Sequence, residues 1–190
     1  YGEVTNGKSS YTHPAFTFGD DELTGFWFGK FENTVDTNDN ITIKPDIISI
    51  NDGVYNWFTR ARSMELENNI YGFNSTATAY NSTGELTNDT NNFDTHMLKN
   101  MEWGAVAYLS QSKYGKLGNP DYSGKNKQVY ANNDAQLSAK AGCSQGPSLN
   151  YDDCKYTYDV NLNGTGASTT GTIYGIYDMV YNTTDLWVAV

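Results

Sequence analysis

The chain has 190 residues and a formal net charge of -10, from 22 acidic against 12 basic side chains. That balance argues against a phosphate-backbone partner, which needs clustered Lys and Arg, so nucleic acid is not expected. No stretch approaches the roughly 18 consecutive apolar residues of a membrane span, and the length suits one domain, residues 1–190, better than two.

Polarity comes mainly from Asn, Thr, Ser and Gly, beside 15 Tyr and 4 Trp. Aromatic rings among short amides and hydroxyls are what recognition surfaces use, because Tyr supplies rigid contact area and Asn or Ser supplies adaptable hydrogen bonds. A secreted, loop-rich protein with an ordinary polar surface has the same composition. Tyr1 in place of an initiator Met is expected of a processed piece of a longer exported polypeptide.

In chain order, "AFTFG" at 15–19, "GFWFGKFEN" at 25–33 and "ITIKPDIISI" at 41–50 predict strands separated by polar turns, Pro45 splitting the last or confining it to an edge. Asn51 and Asp52 are candidate caps for a helix of about four turns, whose apolar face is Val54, Trp57, Phe58, Ala61 and Met64. The polar stretch 68–92 reads as a hairpin or a long surface loop. A second helix is predicted from Asp94, with Leu98, Met101, Ala105 and Leu109 on one face and a stop at Lys113–Gly115. His96 is read as part of that helix's N-terminus. Beyond Lys116 the chain reads as loop, with one short strand at "KYTYDVNL". The fold class expected is α+β: a few antiparallel strands, two helices and long structured loops.

Cys143 and Cys154, in "GCSQGPSLNYDDC", are expected to form a disulfide, which would keep a Gly-, Pro- and Ser-containing loop ordered outside the reducing cytosol. Two free thiols are the alternative. A metal site fits less well, since neither His13 nor His96 completes a tetrahedral set. No catalytic residue stands out: neither histidine lies in a nucleophile motif, and the glycine-rich stretches lack the Lys of a phosphate loop. No cofactor is expected. Calcium is an alternative at Asp36–Asn40, "DTNDN", where oxygen donors alternate, but a turn bonding its own backbone reads more simply. Sequons begin at Asn40, Asn74, Asn81, Asn88, Asn163 and Asn182, little more than chance in this composition.

"GFWFGKFE", "EWGAVAYLSQSKYG" and "GTIYGIYDM", in that order, resemble the core motifs of the formylglycine-generating-enzyme-like branch of the C-type lectin fold. More narrowly, the chain is similar to bacterial surface and pilin-fused members, and to variable proteins of diversity-generating retroelements. The resemblance implies two helices around a small twisted antiparallel sheet with long inserted loops. The family offers both enzymes and binders, and its known catalytic machinery does not carry over, because the late cysteine pair and the histidine-rich metal triad of the enzymes have no counterpart here. After "YGIYDM" the family continues with a Gly-rich turn and a Trp-Glu-Trp-like strand, whereas this chain reads "VYNTTDLWVAV", keeping Trp187 alone.

Within that segment Tyr174, Ile176 and Met179 are expected to pack. Tyr181, Asn182, Thr183 and Asp185 are the candidate ligand-binding residues, with a plain connector as the alternative. The function expected is an extracellular recognition or adhesion module on a bacterial surface or appendage, with a protein or glycan ligand. A subunit that self-associates into filaments, and an oxidase of the same fold, are the other readings.

Overall fold

A computed structural model describes residues 12–18, 20–48, 50, 52–71, 79–81, 86–87, 94–132, 140–147, 154–179 and 188–189. The elements, in chain order, are strands β1 (Thr17–Phe18), β2 (Asp21–Glu22), β3 (Thr34–Val35) and β4 (Ile41–Thr42), then helix α1 (Val54–Ser63). There follow β5 (Ala79–Tyr80), β6 (Leu86–Thr87), β7 (His96–Met97), helix α2 (Asn100–Tyr108) and β8 (Val188–Ala189), with single 3-10 turns between several of them. The class is α+β, as the sequence indicated. The described strands form four separate antiparallel pairs: β1 with β2, β3 with β4, β5 with β6, and β7 with β8. The antiparallel β5–β6 pair lies within the polar stretch read as a hairpin or a long surface loop. Among the described residues no helix is long and apolar enough to cross a membrane.

Two strand predictions fail. Phe and Trp enrichment marks 25–33 as β, yet most of this run is irregular, with a single bridge at Phe28 and bonds to the distant "YGIYDM" segment. Tyr177 N donates to Lys30 O at 2.9 Å, and Glu32 N to Asp178 Oδ2 at 3.2 Å. "KYTYDVNL" likewise contributes a single bridge, Tyr156 to Ser144, before turning away.

α1 runs about three turns, one fewer than predicted. Asp52 prepares its start by accepting from Gly53 N and Asn56 Nδ2, both at 2.7 Å, and these bonds with Arg60 hold its carboxylate below the usual range. Trp57, Ala61 and Met64 are buried as the period implied, whereas Val54 and Phe58 are exposed. Arg60 bridges Asp52 and Asp39. That ties α1 to the 36–40 turn, where Asp36 accepts from Asn38 N, Asn40 N and Asn40 Nδ2. The alternating oxygens of this run thus form an Asx-type turn bonded to itself.

α2 starts at Asn100 and not at Asp94, and it buries a different face from the one predicted. Glu102, Val106 and Ser110 point inward, while Met101 and Leu109 are exposed. The helix is apolar nearly all round, so period alone could not select a side. Glu102 selects it, by accepting from Lys99 N at 2.8 Å in a capping box and meeting His96 Nε2 at 3.0 Å. His96 therefore belongs to β7 and not to the helix.

Among the described residues the core is three small clusters. One joins Phe31, Tyr130, Ala141, Ala167 and Tyr177; the second Ile41, Ala61 and Met64; the third Val106 and Met179, with Phe26, Phe28, Leu98 and Ile176 against them. Met179 and Ile176 pack as expected, but Tyr174 is exposed. Gly175 serves by its small size: a Cβ there would lie 2.6 Å from Thr170 Oγ1 and 2.8 Å from Ser168 Oγ.

Buried polar groups knit the loops. Asp178 accepts from Glu32 N, from Asn132 Nδ2 at 2.7 Å and from Gly142 N at 2.8 Å. Desolvation pushes its pKa up to about 6, with these donors pulling the other way. Lys116, fully buried, donates to Gln128 O and Gly166 O and lies 4.2 Å from the centre of the Tyr130 ring. Burial pulls that ammonium down to about 8.

Candidate functional site

A concavity arises where three distant segments meet. The turn after β4 places Asp46 at φ 65°, and Asp46 N donates to Ala141 O while Ala141 N donates to Ile47 O. The bridge Ile48–Lys140 continues this pairing. On the other side Ser144 and Tyr156 exchange backbone bonds at 2.9 and 3.0 Å, and the Cys143–Cys154 disulfide closes the loop beside them. Between the two bridges lies a recess of about 190 Å³, walled by Pro45, Asp46, Ala141–Cys143 and Thr157–Asp159. The expected disulfide is present and forms part of this wall.

Each wall is fixed by something behind it. Gly142 has φ 74°, and a Cβ there would lie 2.7 Å from a Phe31 ring carbon, so only glycine fits. Asp178 holds its amide from beneath. Tyr158 stands edge-on to Phe31, ring centres 5.2 Å apart, and to Tyr177 at 5.9 Å. Tyr177 Oη donates to Tyr158 O at 2.8 Å, and burial raises the Tyr177 phenol. Lys30 Nζ lies 5.2 Å from the centre of the Tyr158 ring.

Polar groups sit around the opening. Thr157 Oγ1 donates to Asp159 Oδ1 at 2.7 Å, and Lys140 Nζ is 3.4 Å from Asp46 Oδ1, an exposed pair worth little to stability. The recess thus offers an aromatic ring, two carboxylates and a hydroxyl, with the Lys140 ammonium paired to Asp46 beside it. It is smaller than the several hundred cubic ångströms that enclose a drug-sized molecule, and suits one sugar ring or one side chain. Asp46 lies close to both cysteine sulfurs, but a disulfide holds no thiolate, so this trio is not a metal centre.

Tyr181, Asn182, Thr183 and Asp185, with Trp187, lie outside the described residues. The framework on either side is described: Met179 packs on Val106, and Val188 pairs with Met97. The histidines are far apart in role. His13 accepts from Ala15 N through Nδ1 and caps the 3-10 turn Pro14–Phe16. His96 lies between two carboxylates, and among the described residues no hydroxyl or thiol nucleophile is bonded to it.

Sequence reasoning missed the recess, whose walls come from positions about one hundred residues apart with no motif in common. The signals present were the cysteine loop and the aromatic spacing of "KYTYD".

No protein-family model matches the chain, and no curated protein matches it either. What the protein does is read from its own geometry.

Proposed function

We propose that the protein is an extracellular, non-catalytic recognition module of C-type-lectin-like fold, displayed on a bacterial surface or appendage, that binds a protein or glycan ligand. The observation that carries this reading is the recess: a small concavity with an aromatic wall and mixed polar groups at its mouth, built from loops that are individually immobilised. Sites of that kind position a ligand group without needing a reactive residue.

The fold part of the reading draws support from the three resembling motifs, which are neighbours in space. Phe31 of the first stacks on Tyr177 of the third at 5.3 Å, and Val106 of the second packs on Met179 of the third. The stretch 181–185 is proposed as a second contact region, as its Tyr, Asn, Thr and Asp suggest on chemical grounds.

The test is a glycan and surface-protein binding screen on the oxidised protein, followed by titration of any hit. Tyr158→Ala and Asp159→Ala should weaken a recess ligand at least about tenfold, and a Tyr181→Ala, Asp185→Ala double variant should weaken one that reaches the second region. A ligand whose affinity none of these variants alters would refute the assignment. A filament subunit is the second reading, favoured by the exposed apolar run Ile48, Ile50, Val54, Tyr55 and Phe58. Concentration-dependent polymers in light scattering would support it, and a monomer at all concentrations would reject it.

A further inference from the structure

We propose that His96 is a pH-dependent latch: its protonated ring joins β7 to the helices, and loss of the ring proton loosens β7 together with the strand β8 that pairs with it. This is independent of the recess and of any ligand.

The geometry is a chain of alternating charges across three elements. From just before β7, Asp94 Oδ2 lies 2.5 Å from His96 Nδ1, close enough for an ion pair although out of hydrogen-bond alignment. From α2, both carboxylate oxygens of Glu102 lie 3.0 Å from Nε2. Lys99 stands 3.5 Å from Glu102. From α1, Arg62 pairs with Asp94 and, at 3.0 Å, with Glu65, the buried carboxyl that follows the helix. Glu65 in turn accepts from Thr95 N and Thr95 Oγ1, and Thr95 Oγ1 reaches Ala61 O at 2.7 Å. With the ring protonated, His96, Arg62 and Lys99 face Asp94, Glu102 and Glu65, and the formal charges balance.

Removing the ring proton breaks that balance. A neutral imidazole has one N–H, so one of its two carboxylates must face a lone pair. Neither carboxylate is free to turn away: Glu102 is held by the helix cap and Asp94 by Arg62. The strain falls on β7, whose His96 and Met97 pair with Ala189 and Val188.

Electrostatics agree in direction. Burial disfavours the charged ring, but Asp94 and Glu102 outweigh it and hold the pKa above the ordinary 6.5. Burial works against the Asp94 carboxylate too, and His96, Arg62 and Lys99 carry it below the usual range. Burial lifts Glu65. A raised histidine pKa stabilises the folded state fully below the unfolded value of 6.5, and the gain is lost as pH rises through the folded value. The latch is therefore shut below pH 6.5 and loosens as pH rises through the ring's raised pKa.

The test uses the whole chain with its disulfide intact. The His96 ring is titrated by NMR, and amide-exchange protection at residues 94–97 and 188–189 is measured from pH 5.5 to 8.5, corrected for intrinsic exchange. The expected result is a ring that titrates above 6.5 and protection that falls across that same titration. Asp94→Asn should move ring titration and protection step together to lower pH, and His96→Gln should leave protection flat. Protection that stays constant while the wild-type ring titrates, or a ring titrating at or below 6.5, would overturn the proposal. Those two wild-type measurements decide it even if a variant fails to fold.

Discussion

Replacing Asp178 by Ala tests whether buried polar bonding, more than strand pairing, holds the loops together. The substitution leaves three donors without their acceptor: Glu32 N, Asn132 Nδ2 and Gly142 N. Stranding a buried donor costs about 1–3 kcal/mol. Against this, the buried carboxylate is itself unfavourable, since a pKa raised from 3.8 to about 6 corresponds to about 3 kcal/mol at pH 7. Three such donors cost about 3–9 kcal/mol, so the expected net loss is up to about 6 kcal/mol, read from urea denaturation at pH 7 with the disulfide intact. The same raised pKa sets a pH signature. Its contribution is fully present below the unfolded value of 3.8 and is lost as pH rises to about 6, so wild-type stability should fall over that window relative to Asp178→Asn. A loss below about 1 kcal/mol for Asp178→Ala, with no difference in pH profile between wild type and Asp178→Asn, would refute the reasoning.

Gly142→Ala should cost about 2–4 kcal/mol in thermal melts, because φ is 74° and the new methyl would meet the Phe31 ring at 2.7 and 2.9 Å. Replacing both cysteines by Ser should lower stability by about 2–3 kcal/mol for a bridge spanning 11 residues, and it should also weaken any recess ligand; unchanged affinity would separate the loop from binding. Trp57→Ala should cost about 3–5 kcal/mol while the adjacent Phe58→Ser stays within about 0.5, a contrast that chemical denaturation reads directly from their opposite burial. For Lys116, whose folded pKa of about 8 lies below the unfolded 10.5, the folded state loses the proton first. Stability should therefore rise with pH between about 8 and 10.5 relative to Lys116→Met, and a flat difference would refute the burial argument.

The α+β class, the two helices, the disulfide and the 36–40 turn were legible in the sequence because local signals carry them: residue period, turn chemistry and cysteine spacing. The face of α2 was not, since Met101, Ala105 and Leu109 are as apolar as Val106. The deciding partner, His96, lies six residues from Glu102 on a strand that no period announced. The 25–33 run misled because ring-rich residues favour strands in general, whereas here Phe31 is a core residue packed on Tyr177, 146 positions downstream. The recess failed to register for a similar reason: Asp46, Gly142 and Tyr158 become neighbours only through long-range bonds.

The placement of Asp178 after all three of its donors has a kinetic consequence. It is the acceptor that residues 32, 132 and 142 await, the first of them 146 positions upstream. A chain emerging from its N-terminus thus has all three donors in hand long before their shared partner arrives. Long-range closure of this sort slows folding, so the loops should consolidate late and together, and a fragment ending before residue 178 should stay unfolded.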